Sequence, residues 1–250
     1  MTNELYHYGV KYKSGRYPYG SGKNPFQSDP GYKYQRGEVA RLKKEKRSWK
    51  KTLEDNADDR FYKVLEEYSK FDIERIDEEI ERYKSMQACL FVSGSSKTQD
   101  ESSKYYRKEL PKDITDELNK AITNGKKIVV GDAPGIDRQV QDYLAKVNYK
   151  DVEVYSPGKE CRYIANENWE NHKVNSICTP GGKAWLAVKD IAMTNASTEG
   201  LSIILDNGAN ATRRNVQRLI ESNKYVKVYQ LNESGDDSWV EDPKTVKPLD

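Results

Sequence analysis

The feature that most restricts the fold of this chain is an alternation, between residues 87 and 231, of short apolar runs with longer segments of helical period. The apolar runs predict strands, and the segments between them predict helices, among them 112–127 with a glycine stop and 134–147. Strands and helices alternating at this spacing are typical of right-handed crossovers in a parallel sheet covered on both faces. We therefore predict an α/β fold, a doubly wound Rossmann-like parallel sheet of about five strands in the order 3-2-1-4-5. The predicted strands begin at residues 87, 128, 152, 201 and 226.

The chain before residue 87 has a different composition. Residues 1–37 contain seven tyrosines and six lysines or arginines against two acidic residues, without a regular period. This pattern predicts a basic, Tyr/Gly-rich tail. Residues 38–86 carry apolar side chains mostly three, four or seven positions apart. They predict a long helical or coiled-coil region, either one amphipathic helix or a hairpin broken near 55–59.

Charge is unevenly distributed along this helical region. Residues 41–51 are basic, whereas residues 72–81 are acidic. Because unlike charges attract, antiparallel pairing is favoured, either within one folded-back chain or between two chains. A solvated helix docked on the following domain is the alternative. Because the helical region is polarised in charge, we expect a homo-oligomer. Residues 232–250, which follow the last predicted strand, are assigned to a C-terminal tail.

Composition excludes several classes of function. The 250-residue chain has a formal net charge of +2, which argues against a nucleic-acid partner. It contains neither a run of about 20 apolar residues nor the apolar core of a signal peptide, so we expect an intracellular protein without a membrane partner. Three dispersed cysteines, Cys89, Cys161 and Cys178, fit neither a disulfide framework nor a zinc cluster. With His7 and His172 as the only histidines, we expect no metal, no cofactor and no imidazole-based triad.

Three loops that follow predicted strands are rich in small polar residues: 93-SGSS-96, 131-GDAPGID-137 and 206-DNGANATRR-214. In the predicted order the first and fourth strands are neighbours at the topological switch point, where their loops part and leave a crevice. Small residues let backbone N–H groups approach an anion, and a helix beginning near Ala211 or Thr212 adds its positive end. An ordinary turn uses the same residues, but two such loops at one crevice favour a ligand site. The predicted ligand-binding residues are Ser93, Gly94, Ser95, Ser96, Gly131, Asp132, Ala133, Gly135, Asp137, Arg138, Asp206, Asn207, Gly208, Asn210, Ala211, Thr212, Arg213 and Asn215.

The segment 158–200 interrupts the alternation and falls at the carboxyl edge of the predicted sheet. Trp169 and Trp185 lie in this segment. They predict either a lid that stacks on a base or a small hydrophobic cluster under a long loop, and we favour the cluster.

Several motifs between residues 88 and 231 form a recognisable series: FVSGSS, GDAPGID, VEVYSPG, 189-KDIAM-193 and 208-GANAT-212. The series resembles the SLOG superfamily of Rossmann-like nucleotide-binding domains, which includes cytokinin-activating phosphoribohydrolases, DNA-uptake processing proteins and antiviral ligand sensors. The resemblance implies a nucleotide site at the three loops. The stretch 7-HYGVKYKSGRYPYGSGKNPFQ-27 resembles a leader of tailed-phage proteins. It implies a phage-encoded protein in the cytoplasm of an infected bacterial host.

One departure from the superfamily bears on catalysis. The phosphoribohydrolase motif Pro-Gly-Gly-x-Gly-Thr-x-x-Glu carries a glutamate that acts on the N-glycosidic bond. With Thr212 as the aligned threonine, Asn215 occupies the glutamate position, and an amide cannot serve as a base. Glycosidic cleavage needs a carboxylate, for which Asp132, Asp137 and Asp206 remain candidates.

The departure favours a binding protein over an enzyme. We expect the chain to bind a small ADP-ribose-derived or cyclic nucleotide without turnover, and as a phage sponge to sequester a host immune signal. A nucleotide N-glycosidase or phosphoribohydrolase-like enzyme, and an interaction protein of the phage particle, are the alternatives.

Overall fold

The computed structural model describes residues 29–57, 62–175, 180–208 and 210–249, which divide into two compact units, one ending at Gln87 and one beginning at Ala88. The phage-like stretch 7–27 and Cys178 lie outside these ranges. Among the described residues, no helix combines the length and apolar character needed to cross a bilayer. The helices are α1 (Pro30–Asp55), α2 (Tyr62–Ser85), α3 (Lys112–Thr123), α4 (Ile136–Lys146), α5 (Lys183–Ala196) and α6 (Asn210–Glu221). The strands are β1 (Cys89–Gly94), β2 (Lys127–Gly131), β3 (Val152–Pro157), β4 (Glu170–Val174), β5 (Glu199–Leu205), β6 (Tyr225–Leu231) and β7 (Ser238–Trp239), and single 3-10 turns lie at Ser96–Gln99 and Pro243–Thr245.

The first unit is a hairpin in which α1 and α2 pair antiparallel within one chain. Leu42 of α1 packs with Ile76 and Ile80 of α2, and all three side chains are buried. Lys46 forms an ion pair with Asp77, so the basic and acidic segments do face each other. Of the arrangements that the sequence allows, the folded-back hairpin is the one present.

The first helix starts earlier than the sequence pattern predicted. It begins at Pro30 rather than near residue 38, so the predicted tail is too long. The carboxylate of Asp29 accepts a hydrogen bond from the Gly31 amide at 3.0 Å, which caps the helix. Proline in the first turn suits a helix start because its missing N–H would have no partner there. These local signals, rather than apolar periodicity, set the beginning of the helix.

The second unit contains a sheet of seven strands in its described residues, in the order β4-β3-β2-β1-β5-β6-β7. Every strand pair is parallel except β6 with the antiparallel β7. The five strands that the sequence predicts are β1, β2, β3, β5 and β6, and they lie in the predicted order 3-2-1-4-5. The predicted count is too low because β4 has the polar sequence ENHKV and β7 has two residues, so neither contains an apolar run.

Helices cover both faces of this sheet, as the doubly wound prediction requires. On one face Leu90 and Val92 of β1 belong to a core that includes buried residues of α3 and α4. On the other face Phe91 belongs to a core with Met193 of α5 and Val216 of α6. Alternate residues of one buried strand therefore supply both cores.

The C-terminal residues are part of the folded unit, which corrects their assignment to a tail. Trp239 of β7 pairs with Tyr229 of β6, and their rings meet edge to face with centroids 4.9 Å apart. Val246 is buried in the core that contains Phe91. These apolar residues are isolated in the sequence and produce no period, so pattern alone does not predict their packing.

Candidate functional site

The loop that leaves β1 and the start of α6, the helix that follows β5, line one cavity of about 310 Å³ at the carboxyl edge of the sheet. The two strands are direct neighbours, with Ser93 paired to Ser202 and Gly94 to Ile203. The cavity is thus at the switch point where the sequence predicts a crevice. Its lining residues are Ser93, Gly94, Ser95, Ser96, Ala133, Pro134, Asp137, Arg162, Leu186, Lys189, Asp190, Met193, Ala211, Thr212 and Asn215.

Two glycines in these loops are required by close packing between the loops themselves. A Cβ at Gly94 would lie 2.4 Å from the Cβ of Ile136. Gly135 has φ +85°, and a Cβ there would lie 2.2 Å from the carbonyl oxygen of Ser95. The Gly135 amide donates to Oε1 of Gln99 at 2.9 Å. This hydrogen bond joins the loop after β2 to the turn after β1. The glycine signal in the sequence therefore has a structural cause, and it also shapes the cavity wall.

A buried charged network forms the floor of the cavity. Nζ of Lys189 lies 3.0 Å from Oδ1 of Asp190 and 3.3 Å from Oδ2 of Asp137. Nδ2 of Asn215 donates to the second oxygen of Asp190 at 3.3 Å. The amide of Asn215 thus positions the carboxylate of Asp190.

The protonation of this network follows from its burial. Burial raises the pKa of Asp137 above its usual range, although the charge of Lys189 acts in the opposite direction. Burial alone would lower the pKa of Lys189, but the attraction of Asp137 and Asp190 outweighs it and raises that pKa. Lys189 therefore stays cationic, while Asp137 holds its proton to a higher pH than an exposed aspartate does.

Arg162 forms part of the cavity rim and is held by a fully buried carboxylate. Asp132 accepts from the Arg162 backbone amide at 3.1 Å and from Nε at 3.0 Å, and it also pairs with the guanidinium Nη2. The forked contact fixes the guanidinium plane. The Arg162 side chain keeps 40% of its surface exposed, so it can still contact a ligand.

Half of the sequence-predicted ligand residues line this cavity, including the whole of 93-SGSS-96. The predicted residues that the structure brings together there are Ser93, Gly94, Ser95, Ser96, Ala133, Asp137, Ala211, Thr212 and Asn215. The structure therefore brings the loops after β1 and β2 to one cavity with the start of α6, whereas the turn directly after β5 does not contribute.

Five predicted residues lie outside the cavity lining and hold the turn after β5 together, namely Asp206, Asn207, Gly208, Asn210 and Arg213. Arg213 donates to the carbonyls of Leu205 at 2.6 Å and Asp206 at 3.2 Å. It also donates to the carbonyl of Gly208 at 3.3 Å, so its fork is occupied by backbone. The carboxylate of Asp206 accepts from the Tyr105 hydroxyl. The side chain of Asn210 accepts from the Leu249 amide at 2.7 Å, and the Asn207 carbonyl accepts from Tyr105 at 3.2 Å.

The remaining predicted residues lie in or next to the loop after β2 and contribute to its packing. A Cβ at Gly131 would lie 2.2 Å from Oδ2 of Asp137, so the glycine leaves room for the charged network. The guanidinium of Arg138 lies 4.2 Å from the centre of the Tyr163 ring, a cation–π contact away from the cavity lining. Asp132 and Gly135 act through Arg162 and Gln99, as described above.

Sequence reasoning missed six lining residues, four of them on α5. Lys189, Asp190 and Met193 come from the KDIAM motif, which the superfamily resemblance had already singled out. A Lys-Asp pair within the apolar stretch of α5 was the available signal. The other three are Pro134, which lies within the GDAPGID loop, Arg162, and Leu186 of α5.

The two tryptophans do not belong to the cavity lining formed by the described residues. Trp169 is buried in the core with α3 and α4, and its Nε1 donates to the Tyr149 carbonyl at 3.0 Å. The prediction of a hydrophobic cluster is confirmed for this residue. Trp185 packs on Gly158, where a Cβ would come within 2.9 Å of the indole ring.

The class of protein that these observations define is an α/β protein with a mostly parallel sheet and, at its switch point, a cavity lined by both polar and apolar residues. Comparison with known proteins adds no relative, since no protein-family model, no curated protein and no solved structure matches the chain.

Proposed function

We propose that the cavity binds a small nucleotide derivative and releases it unchanged. The observation that carries this proposal is that the loop after β1 and the first turn of α6 line the same cavity. A parallel sheet with a helix N-terminus at its switch point is the arrangement that binds nucleotide phosphates in many unrelated proteins. The SLOG resemblance points in the same direction.

The phosphate of the ligand belongs at the wall formed by Ala211, Thr212 and Ser96. Ala211 and Thr212 lie in the first turn of α6, where backbone N–H groups have no partner within the helix. These groups and the helix dipole favour a negative charge. Ser96 also lines the cavity, is exposed and offers a hydroxyl donor. The guanidinium of Arg162 adds a charged donor at the rim.

The ribose belongs at the floor, near the carboxylates. Asp190 and Asp137 present acceptor oxygens, which suit the donor hydroxyls of a sugar. Leu186 and Met193 supply an apolar wall for a base. Two cations and two carboxylates line the cavity, so their formal charges cancel. A ligand that combines hydroxyls with one or two phosphates fits this balance better than a highly charged triphosphate.

An ADP-ribose derivative, linear or cyclic, has these groups. In this proposal the protein is a phage-encoded SLOG-like sponge in the cytoplasm of an infected bacterium, and it withdraws an immune signal from the host. The viral source rests on the N-terminal stretch 7–27, and the role as a sponge rests on analogy with related domains.

Recovery of the ligand after binding tests this function. The purified chain is incubated with a cyclic ADP-ribose isomer or ADP-ribose, separated from free ligand, and denatured. Chromatography of the released material should show the intact nucleotide in an amount close to one per binding site. Absence of retained nucleotide across such a panel contradicts the proposal.

A second function, hydrolysis of an N-glycosidic bond, is favoured by one specific observation. Asp137 lines the cavity, and its buried carboxyl has a raised pKa, so it can hold a proton to donate to a departing base. Release of free base or ribose phosphate by the wild type, abolished in Asp137→Asn, identifies an enzyme. Unchanged nucleotide after long incubation identifies a binding protein.

A further inference from the structure

Three potential metal ligands lie on one face of the edge strand pair β3 and β4, on strands whose carboxyl ends point toward the cavity. They are Glu153, Glu170 and His172. Glu153 pairs with Glu170 in the parallel register, and His172 follows two positions later on the same face. We propose that these side chains bind one divalent transition-metal ion, independently of the nucleotide proposal.

The spacing of the donor atoms fits a shared ion. Nε2 of His172 lies 3.1 Å from Oε2 of Glu153 and 3.5 Å from Oε1 of Glu170. One donor atom from each residue lies within 4.8 Å of the others. Ligands about 2.0–2.2 Å from a tetrahedral ion are about 3.4 Å apart, so little movement is needed to coordinate one.

The imidazole nitrogen that faces the two carboxylates contacts them without forming a hydrogen bond. Nε2 of His172 is buried and makes no hydrogen bond among the described residues. A neutral ring with its lone pair toward two carboxylate oxygens would be repelled by them. A cation placed between the three atoms removes this repulsion and satisfies the nitrogen. A protonated ring donating to Glu153 is the competing explanation, which the test below separates.

Neighbouring groups fix the ligands in place. The ring of Tyr155 stacks on His172 with centroids 4.6 Å apart and planes 25° apart. The Tyr155 hydroxyl donates to Oε2 of Glu153 at 3.3 Å, and Lys127 pairs with the other oxygen. Partners that orient metal ligands in this way strengthen binding.

The ligand chemistry selects the kind of ion. One imidazole and two carboxylates suit Zn²⁺, Mn²⁺ or Fe²⁺ rather than a soft ion such as Cu(I), which prefers sulfur. The Glu170 side chain is 68% exposed, so the site opens to solvent on that side and leaves a coordination position for water. Zn²⁺ is the most direct probe.

Calorimetric titration of the chelator-treated full-length chain with zinc chloride tests the proposal. We expect one ion per chain, at least tenfold weaker binding in His172→Gln and in Glu170→Gln, and no change in His7→Gln, the matched control at the other histidine. Because Glu170 is exposed, its substitution leaves the fold intact, which circular dichroism verifies. A cobalt-substituted sample should show visible d–d absorption without a thiolate band.

Two results overturn the site. One is the absence of zinc binding in the wild type, which assigns His172 to an ion pair with Glu153. The other is zinc binding that is unchanged in His172→Gln, which places the ion elsewhere. Nucleotide retention by Glu170→Gln should equal that of the wild type, so failure of this site and failure of the proposed function are distinguishable.

Discussion

Lys189 and Asp137, 52 residues apart in the chain, form a buried ion pair with Nζ 3.3 Å from Oδ2. The pair joins α5 to the start of α4, elements that cover opposite faces of the sheet. Both side chains line the cavity, so the same contact stabilises the fold and sets the charge of the floor.

Replacing the cation in this network should be costly. Lys189→Met leaves two buried carboxylates without their ammonium, and we expect a loss of about 3–5 kcal/mol in the free energy of unfolding. Urea denaturation measures the loss. The matched control is Lys112→Met at a side chain that is 86% exposed, where the change should stay within about 0.5 kcal/mol. Equal effects at both positions would contradict the network.

The raised pKa of Asp137 predicts a pH dependence of stability. The folded state binds the proton more tightly than the unfolded state, in which an aspartate titrates near its ordinary value. The stabilising effect of this proton is therefore complete below the unfolded pKa and is lost as the pH rises through the folded one. Asp137→Asn cannot titrate, so its stability relative to the wild type should increase over that window. A constant difference between pH 3 and 8 would show that burial does not shift this group.

Two glycines with positive φ provide a matched test of loop packing. Gly125→Ala places a methyl group in open space at φ +63°, and Gly135→Ala places one 2.2 Å from the Ser95 carbonyl at φ +85°. Backbone strain alone costs about 1–2 kcal/mol. We expect thermal denaturation to show that cost for Gly125→Ala and a clearly larger one for Gly135→Ala. Similar losses for the two variants would mean that the loop containing Gly135 is not in close contact with the loop containing Ser95.

An exposed apolar surface on α2 is a candidate interface for the homo-oligomer that the sequence predicts. Val64, Tyr68 and Phe71 lie three and four residues apart on α2 and are 51%, 70% and 70% exposed. Burying such a stripe between two copies would remove it from water. Light scattering should show an assembly that dissociates in Phe71→Glu and persists in Lys63→Glu, an exposed position on another side of the helix. A monomeric wild type would remove the basis for this expectation.

The strands and helices of the fold were predictable where apolar runs and turn residues define their bounds. The order of five strands followed from alternation and crossover handedness, and the presence of Ser95 and Thr212 at one cavity followed from that order. The strand β4 was not predictable, because its sequence ENHKV has no apolar period and is specified by pairing with β3. The grouping of Glu153 with His172 depends on the same pairing, so the sequence offered no sign of it.

The candidate site was predictable in position and less so in its chemistry. The small residues after β1 and β2 do lie in the cavity walls, whereas those directly after β5 do not. Arg213 suggested an anion ligand, but its donors are consumed by the carbonyls of the turn that it braces. Lys189 and Asp190 lie on a helix whose periodicity does not reveal that charged side chains are buried. Their role depends on contacts with Asp137 and Asn215, which are distant in sequence.

Calorimetric titration of the full-length chain with a cyclic ADP-ribose isomer and with ADP-ribose tests the central claim most directly. Wild type and Ala211→Gln should bind at least one of these nucleotides. Ala211→Glu should bind it at least tenfold more weakly, because a carboxylate at the first turn of α6 is stabilising for the helix and repels a phosphate there. Absence of binding heat in the wild type, or equal affinity in Ala211→Glu and Ala211→Gln, would contradict a nucleotide phosphate at this cavity.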